Sequence, residues 1–223
     1  MATIVLIAGS GHGGWYFDEV VPGLKQLGHT VYAPTLTGMD HENPVSTVIN
    51  LDTHIEDVVQ LVESENLTDV VLVGHSYAGM VITGAAERLR GRIRGLLYCD
   101  AMVPEPGKRL WDALSIEMQE LFLSVSFDGY RVFPDPAFQE MRPRVVPHPL
   151  PTYLQPVHYE PSALDVDIKV FVLAAENNPS PFQEIAKRLE GQADWTVISV
   201  ASGHDMFVDV PGRMLEIIAE AVA

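Results

Sequence analysis

A serine flanked by small residues is the first group in this chain whose surroundings suit chemistry. Val70-Val71-Leu72-Val73 runs into Gly74-His75-Ser76-Tyr77-Ala78-Gly79-Met80. This pattern predicts a buried strand, a sharp turn and an apolar helix, with Ser76 at the tip. A nucleophile elbow holds its serine in a strained backbone conformation, so the positions two before and two after it must be small. Gly74 and Ala78 meet that demand in a G-x-S-x-A form of the commoner G-x-S-x-G. A serine hydroxyl is a weak nucleophile near neutral pH and needs a base. Behind such elbows the chain order is serine, acid, histidine. His204, in Gly203-His204-Asp205 after the last predicted strand, stands where the base belongs. It would take the Ser76 proton and hand it to a leaving alkoxide.

A second candidate lies near the start of the chain. Thr3-Ile4-Val5-Leu6-Ile7-Ala8 reads as a strand covered on both faces, followed by Gly9-Ser10-Gly11-His12-Gly13-Gly14. Glycines let backbone amides approach a ligand closely. Gly9, Gly11 and Gly14 also match the spacing G-x-G-x-x-G. A dinucleotide site would need an acidic residue near the end of the second strand. That strand, Thr30-Val31-Tyr32-Ala33, ends in Pro34-Thr35 instead, so no nucleotide cofactor is expected.

Taken together, Gly9–Trp15, Gly74–Met80 and Gly203-His204-Asp205 resemble the α/β-hydrolase superfamily. Within it, they look like the plant methyl esterases and hydroxynitrile lyases and their small bacterial esterase relatives. The resemblance covers nearly the whole chain and is weakest over roughly 104–165. It implies an oxyanion hole made by the amides of Ser10 and Tyr77, with His12 shaping the loop by hydrogen bonding. Tyr77 also opens its helix, where free amides favour an oxyanion. The resemblance further implies an aspartate after the Phe171 strand, where this sequence carries Asn177. Three solutions stay open. Asp100 ends the strand Ile93–Asp100, at the edge where open α/β sheets bind ligands, and its segment is similar to one that holds the acid in some haloalkane dehalogenases. Glu176 adjoins the expected position and is the alternative acid. Asn177 could hold the histidine tautomer without supplying charge.

The remaining elements must position these groups. A helix is predicted over 15–27, stopped by Gly28. A loop spans Thr35 to Asn50, with Gly38, Pro44 and a solvated His41. Thr53 and Glu56 form a capping box for a helix to about Glu65, with His54 in packing or at the surface. The elbow helix runs to about Arg90. Lys169–Ala174 and Trp195–Val200 are strands, and helices follow at Pro181–Leu189 and from Pro211. Residues 104–167 break the strand–helix rhythm and hold much of the proline, with Trp111, Met118, Phe122, Phe127, Phe133, Met141, Tyr153 and Tyr159. The expected architecture is therefore α/β: a mostly parallel doubly wound sheet with an inserted, largely helical cap. Residues 1–103 and 168–223 would be the core and 104–167 the cap. His148 and His158 lack partners at metal spacing, so no metal is expected.

Composition sets outer limits. The chain has 223 residues, 47% hydrophobic and 20% charged, enough for one globular domain with a substantial core. Its formal charge of −16 repels nucleic acid phosphates and anionic membranes. Cys99 is the single cysteine, in an apolar run, and is read as an inert buried thiol. No basic leader precedes the first strand and no apolar run reaches membrane-spanning length. A cytoplasmic location is expected, without nucleic acid or membrane partners.

The leading reading is a serine carboxylic-ester hydrolase acting on a small, largely apolar ester through an acyl-enzyme. A hydroxynitrile lyase-type C–C lyase is an alternative, but those lyases are similar in carrying lysine after the histidine, where Asp205 stands here. A slow- or non-turnover ligand receptor of hydrolase fold is the other. Haloalkane dehalogenation would need an aspartate in place of Ser76.

Overall fold

The computed structural model describes residues 1–41 and 49–223. The part of the predicted Thr35–Asn50 loop that contains Pro44 lies outside the described residues. The strands and helices alternate in chain order: β1 (Thr3–Ile7), α1 (Val21–Gln26), β2 (Thr30–Tyr32), α2 (Leu51–Ser64), β3 (Val70–His75), α3 (Ala78–Arg88) and β4 (Ile93–Cys99). An insertion follows, with α4 (Ile116–Ser124), β5 (Arg131–Val132), α5 (Pro136–Met141), β6 (His148–Pro149) and α6 (Pro151–Leu154). The chain then returns through β7 (Ile168–Ala174), α7 (Pro181–Glu190), β8 (Thr196–Val200), α8 (Met206–Asp209) and α9 (Pro211–Ala221).

Among the described residues, six strands form one parallel sheet in the order β2-β1-β3-β4-β7-β8. Its inner strands are buried on both faces, and their alternation sorts side chains between two layers. Val5, Leu72, Leu96 and Phe171 pack with α2, α3 and α7 on one face. Leu6, Val73, Leu97 and Val172 pack with α1 and α9 on the other. This is why those strands read as continuous apolar runs. Each Val, Leu or Ile so buried contributes about 1.5–3 kcal/mol relative to an exposed one.

Two predicted helix starts differ. The 15–27 stretch is a 3₁₀ turn over Gly14–Phe17, followed by α1 from Val21. Pro22, which has no N–H to donate, fits only the first turn of an α-helix and so fixes where α1 begins. The α2 cap is Asn50, whose side chain accepts from the Thr53 amide at 3.1 Å, rather than Thr53 itself. The regular structure between β4 and β7 is mostly short helices, plus the antiparallel β5–β6 pair. No helix among the described residues is long and apolar enough to cross a membrane.

Candidate active site

The β3–α3 turn has the strain that the sequence implies. Ser76 sits at φ +57°, a left-handed conformation that costs a non-glycine residue free energy. The turn survives because its neighbours leave room. A Cβ on Gly74 would lie 3.0 Å from the Ala78 carbonyl oxygen and from Ile82 Cδ1. One on Gly79 would lie 1.9 Å from the Met102 carbonyl oxygen, so α3 passes in direct contact with the chain leaving β4. The Met102 amide donates to the Ser76 carbonyl at 3.1 Å, tying that chain to the turn.

Three side chains meet at the carboxyl edge of the sheet. Ser76 Oγ lies 2.9 Å from His204 Nε2, and His204 Nδ1 lies 2.7 Å from Asp100 Oδ2. Asp100 is fully buried and, like Ser76, has a positive φ, of 43°. Pairing of β4 with β7 lets its Oδ1 accept the Ala174 amide at 3.1 Å. Its Oδ2 also accepts from Asn177 Nδ2 at 2.7 Å. With this acceptor on Nδ1, the neutral His204 carries its proton there and offers the Nε2 lone pair to Ser76. The structure thus brings together Ser76, His204 and Asp100. Glu176 is exposed, and among the described residues its carboxylate makes no hydrogen bond to His204. Asn177, the residue at the expected acid position, donates to Asp100 and lies 3.4 Å from His204 Nδ1.

His204 is also held through its ring and backbone. Phe182 stacks on it with planes 7° apart and centroids 5.3 Å apart. On the other side, His75 Nε2 donates to the His204 carbonyl at 2.9 Å. Burial pushes the His75 pKa well below its usual value, so one ring N–H remains for that bond. Asp205 turns toward Tyr16, whose hydroxyl donates to it at 3.4 Å, and faces Arg142 of the insertion at 3.9 Å.

The glycine-rich loop after β1 lies against Ser76. A Cβ on Gly9 would be 2.8 Å from Ser76 Cβ. His12 Nδ1 donates to the Ser10 carbonyl at 2.7 Å, and burial lowers the His12 pKa. The insertion supplies further contacts. The Gly11 amide donates to His148 Nδ1 at 3.2 Å, and the Val146 amide donates to the Gly11 carbonyl at 2.9 Å. Tyr153 Oη donates to Ser10 Oγ at 2.6 Å. Gly11 itself needs φ +72°, with Val146 packed where a side chain would go.

Tyr77 precedes α3, so its amide lies among the free N–H groups at that helix start. Its side chain is fixed by His54: the hydroxyl lies 2.9 Å from His54 Nδ1, while His54 Nε2 donates to the Thr37 carbonyl at 3.0 Å. His54 is therefore a fully buried bridge and not a surface residue, and burial pulls its pKa down to about 4. Neither His54 nor His148 has a local sequence signature for a part in this site. The contact between Gly11 and His148 spans 137 positions, and nothing in local spacing signals it. His41 remains exposed, 3.2 Å from the Pro143 carbonyl.

An elbow serine, a histidine after the last strand and a carboxylate beneath it lie together at the carboxyl edge of a parallel sheet of the α/β-hydrolase fold. The family described as the alpha/beta hydrolase family matches residues 4–217, and the chain belongs to it. Its similarity to a carbendazim hydrolyzing esterase of a Nocardioides strain is 37% identity, over 98% of this chain and 99% of that protein. The chain is a carboxylic ester hydrolase. It is 27% identical to methylesterase 3 of Arabidopsis thaliana, over 91% of this chain and 78% of that one. An extracellular alpha/beta-hydrolase from a Paenibacillus species superposes with a TM-score of 0.87 at 21% identity, covering 99% of each chain.

Proposed function

We propose that this enzyme hydrolyses small, largely apolar carboxylic esters through an acyl-enzyme on Ser76, with His204 as base and then acid and Asp100 as the orienting carboxylate. The observation that carries the proposal is the continuous line from Ser76 Oγ to His204 Nε2, 2.9 Å, and from His204 Nδ1 to Asp100 Oδ2, 2.7 Å. Ser76 Oγ attacks the ester carbonyl as its proton passes to His204 Nε2. Asp100, buried and hydrogen-bonded to His204 Nδ1, stabilises the imidazolium that forms. The amides of Ser10 and Tyr77 receive the oxyanion. His204 then protonates the leaving alkoxide, activates water, and the second half-reaction frees the acid and restores Ser76.

In this reading 104–167 is the cap and 1–103 with 168–223 the catalytic core. Phe122 packs against Tyr153 at 5.5 Å between ring centroids, which supports an apolar cover near the Ser10 loop. A largely apolar acyl or alcohol group suits such a cover. Asp205, held by Tyr16 and Arg142, puts a carboxylate where a lyase would need a cation for cyanide, so ester hydrolysis is favoured over C–C cleavage. The likeness to the Nocardioides esterase makes carbendazim a first compound to screen beside simple alkyl and aryl esters. Ser76→Ala is expected to lower kcat by several powers of ten, on the order of a millionfold as in other serine triads. Ester turnover unchanged in that variant contradicts the nucleophile assignment.

A further inference from the structure

The loop beside Ser76 holds one polar hydrogen more than an oxyanion hole of two amides requires. Tyr153 Oη donates to Ser10 Oγ, at 2.6 Å. The hydroxyl hydrogen of Ser10 is left over, and among the described residues no acceptor takes it. Exposure says where it can go. Gly9 and Gly11 are buried while Ser10 between them is partly open; His75 and Tyr77 are buried while Ser76 between them is partly open. Gly9 brings the two turns into contact, since a Cβ there would meet Ser76 Cβ at 2.8 Å. Ser10 and Ser76 are thus partly open residues on two turns that touch.

We propose that the Ser10 hydroxyl is a third oxyanion donor, aimed and polarised by Tyr153, acting beside the amides of Ser10 and Tyr77. This rests on Ser76 being the nucleophile. A hydroxyl that accepts a hydrogen bond donates a stronger one, because the chain of bonds polarises cooperatively. Tyr153 is buried, and burial raises its pKa, so it remains protonated and keeps donating. During attack the Ser76 Oγ–carbon bond forms, the carbonyl π pair moves onto oxygen, and the Ser76 proton goes to His204. Ser10 keeps its own proton and shares it with the new oxyanion. On collapse that electron pair re-forms the carbonyl, the carbon–alkoxide bond breaks, and the His204 proton leaves with the alcohol.

The loop does not need the Ser10 hydroxyl to keep its shape. His12 holds the Ser10 carbonyl, His148 the Gly11 amide and Val146 the Gly11 carbonyl, all through backbone atoms. Ser10→Ala thus removes the donor and leaves the amides in place. Tyr153 is a positioning residue, acting through Ser10.

The test uses Ser10→Ala, Ser10→Thr, Tyr153→Phe and the Ser10→Ala/Tyr153→Phe double variant. Each is assayed for kcat and KM on a p-nitrophenyl ester and for inhibition by a trifluoromethyl ketone, which forms a tetrahedral adduct with a serine. Ser10→Ala is expected to lower kcat about 10- to 100-fold, below the loss for a principal donor, with KM changed less than about threefold and ketone affinity reduced in proportion to kcat. Ser10→Thr retains the hydroxyl and should stay within about fivefold of wild type. Tyr153→Phe should cost less than Ser10→Ala and add less than about twofold in its background, as for residues acting in series. A Ser10→Ala kcat within about twofold of wild type overturns the proposal, and so does a Tyr153→Phe loss that persists in full without Ser10. Fluorophosphonate labelling separates the two readings. A wild-type enzyme unlabelled at Ser76 removes the nucleophile and this proposal with it. Labelling with kcat unchanged in Ser10→Ala removes the third donor alone.

Discussion

Asn177 Nδ2 lies 2.7 Å from Asp100 Oδ2 and 3.4 Å from His204 Nδ1. The amide donates to the same carboxylate oxygen that receives the His204 N–H, so Asn177 holds the Asp100 carboxylate in place. Acid and amide come from the ends of neighbouring strands, β4 and β7, and both reach the histidine. Asp100→Asn is expected to lower kcat about 10⁴-fold by losing the tautomer-fixing charge, whereas Glu176→Gln changes little. Because both positions adjoin Nδ1, Asp100→Asn/Asn177→Asp should recover more than about tenfold over Asp100→Asn alone. Steady-state kcat for the four proteins checks this. Loss of activity in Glu176→Gln with retention in Asp100→Asn moves the acid to Glu176.

The acid is where the sequence was hardest to read, for a physical reason. Elbow and histidine have local signatures: Gly74 and Ala78 flank Ser76 because of backbone strain, and His204 follows an apolar strand. Asp100, Glu176 and Asn177 all sit at strand ends with suitable chemistry. Only the positive φ of Asp100 and the pairing of β4 with β7 decide which carboxylate turns under the ring. The strands were legible because burial on both faces demands continuous apolar runs. The supports of the glycine-rich loop were not, since His148 and Tyr153 reach it across more than a hundred residues.

Acid should destabilise the fold through its buried histidines. His54 has a folded pKa of about 4 against an ordinary 6.5, so between these values the unfolded chain binds a proton that the native one does not. Its contribution is complete above pH 6.5 and is lost as pH falls toward 4. By pH 5 the loss is about 2 kcal/mol for this one site. His54→Gln keeps a donor and an acceptor but does not titrate. Urea unfolding at pH 7 and pH 5 should therefore show a smaller fall in stability for His54→Gln than for wild type. Equal falls would mean that His54 is not a buried neutral group.

The elbow should tolerate no side chain at Gly79. A Cβ would overlap the Met102 carbonyl oxygen, a backbone atom that cannot rotate away, whereas one on Gly212 would meet nothing within 4 Å among the described residues. Gly79→Ala is expected to destabilise by about 3 kcal/mol or to prevent folding, and Gly212→Ala by less than about 0.5 kcal/mol. Thermal unfolding compares them directly. Similar Tm values for the two would contradict the tight α3 contact.

Cys99 should be silent in the native protein. It is fully buried in β4, and burial raises its thiol pKa, so little thiolate exists to react. Iodoacetamide should leave activity unchanged and label the chain only after denaturation. Rapid native labelling with loss of activity would make the thiol, and not Ser76 alone, relevant to catalysis.

The proposed reaction turns on the acyl-enzyme at Ser76. Rapid mixing with a short-chain p-nitrophenyl ester, followed by intact mass of quenched samples, tests it most directly in wild type and Ser76→Ala. The expected result is one acyl group per wild-type chain, mapped to Ser76, with a p-nitrophenol burst and sustained turnover, and neither adduct nor burst in Ser76→Ala. Turnover in Ser76→Ala at the wild-type rate, or an adduct mapped to another residue, contradicts the account.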